Sequence, residues 1–169
     1  MKIKTTRFGE IELTEAECIQ MKGSILGFEP LRRFALLLYD DKTPLCWLQS
    51  FEDPSLAFVV IDPLVVKPDY KPAVLTSDLD FLEIKDKGDM VLLSIVTIRS
   101  EPFRITANLR APLIINAVNR TAKQAILENA DFPIQYDVLD HKADCDLDFS
   151  AHCKSLSGLN KLAFTVAAP

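Results

Sequence analysis

Histidine is almost missing from this chain: two occur in 169 residues, His141 and His152, and neither lies in the first 140. Nucleophilic hydrolysis by Ser or Cys ordinarily draws on an imidazole base. A triad would have to borrow that base from the C-terminal segment, so this chemistry is set aside. Glycine is scarce too, five in all, and none stands in a G-x-G-x-x-G or G-x-x-x-x-G-K arrangement, which removes the usual phosphate cradles. No stretch approaches the roughly 20 apolar residues of a spanning helix. The opening Met1-Lys2-Ile3-Lys4-Thr5-Thr6 has no apolar run of signal-peptide length, so a cytoplasmic protein with no membrane contact is expected. The four cysteines, at 18, 46, 145 and 153, show no short framework spacing, and reduced thiols are the default in that compartment. Basic clusters are also lacking. Arg32-Arg33 is the single adjacent basic pair and reads as a solvated strand end. With 24 acids against 19 bases the net charge is −5, whereas a protein that holds phosphates presents clustered basic surface. Direct nucleic-acid binding is therefore disfavoured.

What is present is a folded body rich in strand signals. A hydrophobic fraction of 49% with 25% charged residues is ordinary for a globular domain. At this length folding buries roughly two-thirds of the surface of the unfolded chain. Ile3 and Thr5 alternate with Lys2 and Lys4, and beyond Gly9 Ile11 and Leu13 alternate with Glu10 and Glu12, which predicts a hairpin over 1–13. Thr14 with Glu17 predicts a capped helical turn through about Gln20. Gly23-Ser24-Ile25-Leu26-Gly27-Phe28-Glu29-Pro30 predicts a shaped loop. Strands are expected at 34–39, 45–49, 56–61, 91–99, 103–108 and 113–116, those at 58–61 and 91–99 central. Pro63, Pro68 and Pro72 predict an irregular or edge stretch, and Ser77 predicts the cap of a short helix to about Leu82. The segment 121–127 fits either period and is read as strand from its β surroundings. The fold class is all-β: a compact barrel-like single domain with one or two short helices. From Asp140 the texture changes to small and polar residues. The body through Asp140 holds 16 bases and 21 acids, so the whole net charge resides there.

Candidate chemistry is thin. His141, Cys145, His152 and Cys153 could in principle clip a zinc ion, but their spacing matches no standard Cys/His pattern, and no metal is assigned. Paired carboxylates in a barrel mouth remain an alternative enzymatic reading, because sequence does not reveal their separation. A barrel that binds single-stranded nucleic acid is weaker still, since three tyrosines and one tryptophan give few stacking platforms. Trp47 is read as a packing residue before an interface anchor.

Four segments in order carry a family pattern: Gly23-Ser24-Ile25-Leu26-Gly27-Phe28-Glu29; Trp47-Leu48-Gln49-Ser50 followed by Glu52-Asp53-Pro54; Leu56-Ala57-Phe58-Val59-Val60-Ile61-Asp62-Pro63; and Thr106-Ala107-Asn108-Leu109-Arg110-Ala111-Pro112-Leu113-Ile114-Ile115-Asn116. They resemble the FliW family of flagellar assembly factors, and Arg120 with Lys123-Gln124-Ala125-Ile126-Leu127 is similar to the stretch that closes its pattern. The likeness covers residues 1–139, with Phe132-Pro133-Ile134-Gln135-Tyr136 departing from it, and leaves 140–169 as an extension without assigned structure. The resemblance implies a compact β-barrel-like domain without catalytic activity; no cofactor and a monomer are expected. It also implies two protein partners in the cytoplasm: flagellin and, alternatively, CsrA, the RNA-binding repressor of flagellin translation. The polar members of the motifs, Gln49, Glu52, Asp53, Asp62, Asn108, Arg110, Asn116 and Arg120, are the resulting partner-binding candidates.

Overall fold

The computed structural model describes residues 1–38, 43–128 and 131–139, together with the strand at 163–165. Strands β1 (Lys2–Thr5) and β2 (Gly9–Glu12) form the N-terminal hairpin, with Ile3 opposite Ile11 and Thr5 opposite Gly9. Its turn needs glycine because residue 9 sits at φ +67°. Thr14 then opens a single 3-10 turn, Glu15–Glu17, in which the Glu17 carboxylate accepts from the Thr14 N–H at 2.6 Å. The turn stops at residue 17 and does not run to Gln20. Ile19 and Met21 are buried with period two, and that burial makes Cys18–Met21 strand β3.

The remaining strands are β4 (Arg33–Leu38), β5 (Leu45–Ser50), β6 (Ala57–Ile61), β7 (Met90–Ser100), β8 (Phe103–Ala107), β9 (Leu113–Asn116), β10 (Thr121–Gln124), β11 (Tyr136–Asp137) and β12 (Ala163–Thr165). Neighbours run β7-β6-β5-β4-β3-β10-β9, and β9 pairs back onto β7, so seven strands close a ring. Beyond the ring, β8 pairs with the far half of β7, and β11 borders β8. All pairings are antiparallel except β3 with β10 and β4 with β12.

Closure explains the unbroken apolar runs, because both faces of the ring are covered. Phe34, Leu36, Cys46, Leu48, Val60, Leu93 and Ile115 fill the interior. Outside, the N-terminal hairpin lays Ile11 and Leu13 over Ala35, Leu37 and the half-buried Trp47. On Trp47 the Phe8 ring stands edge-on at 5.7 Å, and the Arg7 guanidinium lies 4.2 Å from its ring centre. Leu79, Leu82 and Ile84 cover Ile114. Val65, Val66, Tyr70 and Phe132 cover Ile61, Val96 and Ala107.

Two local expectations change. The proline-rich stretch contains a short helix, α1 (Pro63–Val66), because Pro63 occupies the first helical position and the Asp62 carboxylate accepts from the Leu64 N–H at 2.7 Å. Helix α2 (Thr76–Phe81) starts one residue before Ser77 and has Leu75 at its N-cap, without a side-chain cap.

Candidate functional site

The eight motif residues divide by what their side chains touch. Gln49 is buried, and its amide donates to the carbonyls of Ser50 (3.0 Å), Asp53 (3.3 Å) and Leu56 (2.9 Å), which fixes the β5–β6 turn from beneath. Asn116 is buried as well. Its amide donates to the Leu82 carbonyl at 2.9 Å, while its oxygen accepts from the Val118 N–H at 2.8 Å. Asp62 caps α1, and Asn108 accepts from the N–H groups of Arg110 and Ala111 at 3.1 and 3.0 Å, shaping the turn before Pro112. Arg110 donates to the Phe132 carbonyl at 2.9 Å and so ties that turn to the segment following β10. These five hold turns in place by bonding to backbone.

Glu52, Asp53 and Arg120 face outward or are partly exposed. Asp53 is held below the usual carboxylate range by hydrogen bonds from Ser55, whose hydroxyl donates at 2.7 Å. Glu52 accepts from both the backbone N–H and the Nε of Arg33, each at 3.2 Å. Arg120 takes a left-handed backbone, φ 57°, just before β10. Because β3 lies between β4 and β10, the ring brings Glu52 and Arg120 to one neighbourhood, centred on Cys18. Burial pushes the Cys18 thiol up, with Arg33 and Arg120 opposing and Glu15 and Glu52 reinforcing. A shift in that direction disfavours the thiolate, the form a nucleophile needs. Burial lowers Arg120, and Glu17 acts against that.

The candidate site is thus a charged surface at the start of β3, made by Glu15, Glu17, Arg33, Glu52 and Arg120. Sequence reading reached only Glu52 and Arg120 as contacts. Glu17 was legible as a capping residue and Arg33 as a strand end. Only the pairing of β3 with its successor β4 on one side and with β10, remote in sequence, on the other joins them.

Such a surface suits docking. Elsewhere on the molecule the exposed Glu29, Asp69 and Glu83 and the partly exposed Asp53 are carboxylates held low, each led by a hydrogen bond, from Gly27, Lys67, Lys22 and Ser55 respectively. A general acid needs the opposite shift. Among the described residues no cluster of three or more His, Cys, Asp or Glu side chains is placed to hold a metal. His141, Cys145, His152 and Cys153 lie outside the described residues. No helix among the described residues is long and apolar enough to cross a membrane.

The family model described as FliW protein matches residues 2–138. The flagellar assembly factor FliW of Syntrophus aciditrophicus (strain SB) is 46% identical over 157 residues, 93% of this chain and 98% of that protein. The flagellar assembly factor FliW of Geobacter sulfurreducens is 41% identical over 143 residues, 85% and 89% respectively. A crystal structure of the flagellar assembly factor FliW aligns with a TM-score of 0.75 at 34% identity, covering 82% of this chain and 97% of that one.

Proposed function

This chain belongs to the FliW family of flagellar assembly factors, and from that premise we propose that it works in the cytoplasm by binding flagellin and, alternatively, CsrA. The family is one of assembly factors and not of enzymes. The observation that carries the reading is the family match over residues 2–138, which takes in the whole ring.

The physics of the surface supports it. CsrA binds RNA phosphates and must present basic surface, to which a body of net charge −5 offers complementary potential. Such complementarity speeds encounter and rejects wrong partners more than it deepens affinity. Glu15, Glu17 and Glu52 supply negative charge at one place, with Arg33 and Arg120 beside them to fix register. Residues 1–139 form the binding body in this reading, and 140–169 are an extension of it. Exchange then follows mass action. When flagellin is scarce the protein holds CsrA and flagellin translation proceeds; when flagellin accumulates it takes the protein, and CsrA represses again.

Titration calorimetry of the full chain against purified flagellin and purified CsrA tests this. Micromolar or tighter binding of each, with one weakening the apparent affinity of the other, is expected. Failure of both to bind at micromolar concentration would overturn it.

A further inference from the structure

A second surface, apart from the charged one, lies where the chain after β10 passes helix α2. Residues 125–128 continue the line of β10: the Ala125 N–H donates to the Pro112 carbonyl and the Leu127 N–H to the Arg110 carbonyl, each at 2.9 Å. Alternation along this stretch buries Ala125 and Leu127 and leaves Ile126 standing outward at 61% exposure. Leu75, at the N-cap of α2, is 57% exposed and lines with them a cleft of about 240 Å³, rimmed by the exposed Ala73. Lys123 fixes the two walls, because its Nζ reaches from β10 to the Asp78 carboxylate of α2 at 2.6 Å, in a pair partly shielded from solvent. Strands β3 and β10 run parallel, so the charged surface at their starts and the cleft beyond the end of β10 lie at opposite ends of one strand pair.

The chemistry of the walls selects the occupant. Two carboxylates border the cleft, Asp78 and Glu128. Lys123 neutralises Asp78, whereas the exposed Glu128 carboxylate has no hydrogen bond or ion pair among the described residues. An apolar cleft with one open negative charge on its rim accepts an aliphatic side chain and a cation side by side, and it disfavours an acid there. Its volume suits one branched side chain, since drug-sized ligands occupy roughly 300–1,000 Å³. We infer that the cleft is a docking pocket for a segment of a partner protein that presents a branched aliphatic side chain next to a lysine or arginine. The net charge of −5 draws such a basic segment from a distance, and burial of the aliphatic group against Leu75, Ile126 and Leu127 holds it. The inference stands on these residues and does not depend on the two partners proposed above.

The test is methyl NMR of the full chain titrated with three blocked dipeptides: acetyl-Leu-Lys-amide, acetyl-Leu-Glu-amide and acetyl-Ala-Lys-amide. Saturable shifts at the methyl groups of Leu75, Ile126 and Leu127 are expected with the Leu-Lys peptide, at a Kd on the order of 1–10 mM, as one buried side chain and one exposed ion pair allow. The Leu-Glu peptide should bind roughly threefold more weakly and the Ala-Lys peptide roughly tenfold more weakly. Glu128→Gln should abolish the preference for Lys over Glu while binding persists. Ala73→Phe, at an exposed rim position, should fill the cleft and remove the shifts, with the amide spectrum of the ring unchanged. No saturable shift, shifts centred on other residues, or equal affinity for the Leu-Lys and Leu-Glu peptides would overturn the inference. Neither flagellin nor CsrA enters the measurement, so its failure and the failure of the partner reading remain distinguishable.

Discussion

At the scale of single residues, the polar groups that matter most to the fold are those turned away from solvent. Asn116 bonds the Leu82 carbonyl on one side and the Val118 N–H on the other, at 3% exposure. Asn116→Ala leaves these buried groups unpaired, so chemical denaturation should show a loss of about 2–3 kcal/mol. Tyr70 makes a second test. Its hydroxyl donates to the buried Leu109 carbonyl at 2.7 Å, and burial raises its pKa far above the ordinary value. A raised folded pKa gives stability that is fully present below the unfolded pKa, about 10, and lost as pH climbs beyond it. Stability of the native chain should therefore fall steeply from pH 10 upward. Tyr70→Phe should start about 1 kcal/mol lower at pH 7 and decline less steeply in alkali. An asparagine beside a proline is readable from sequence as a residue that satisfies buried backbone, but which distant carbonyl lies beneath Asn116 is not, and nothing local marks the partner of Tyr70.

At the scale of elements, the N-terminal hairpin is a lid on the outer face of β4 and β5. Leu37, fully buried between hairpin and sheet, is its anchor, whereas Arg7 lies over the Trp47 ring at the margin. Leu37→Ala should cost about 2–5 kcal/mol in urea unfolding. Arg7→Ala should cost only about 0.5–1 kcal/mol while shifting the fluorescence of the sole tryptophan. The hairpin, β4, β5, β6 and β7 were readable because alternation or β-branched runs mark them within a few residues. Helix α1 was not, because Pro63 signals a broken strand and a first helical turn equally well; the Asp62 cap decides between them. The start of β3 was also missed, since the capping pair Thr14 and Glu17 favours a longer helix until pairing with β4 overrides it.

At the scale of the whole molecule, charge and topology act together. The Arg33–Glu52 pair is partly exposed, so Glu52→Gln should change stability by less than about 1 kcal/mol. In the function proposed here the same change removes one negative charge from the docking surface. Stopped-flow association with CsrA should slow roughly two- to fivefold at low ionic strength, and the difference should vanish at high salt, where screening shortens to a few ångströms. Equal rates at low salt would remove Glu52 from the contact.

Composition and local pattern by themselves determined that the chain is a β-rich globular domain and where most of its strands lie. They also determined the acidic balance and the absence of histidine from the body. These are properties of short windows and sums, and no folding is needed to read them. Only the tertiary structure decided that β9 returns to β7 to close the ring, that β3 accepts β10 in parallel, and that Glu15, Arg33, Glu52 and Arg120 all act on Cys18. Those pairings join residues up to about a hundred positions apart. They are selected by the burial of two sheet faces at once, which no local periodicity encodes.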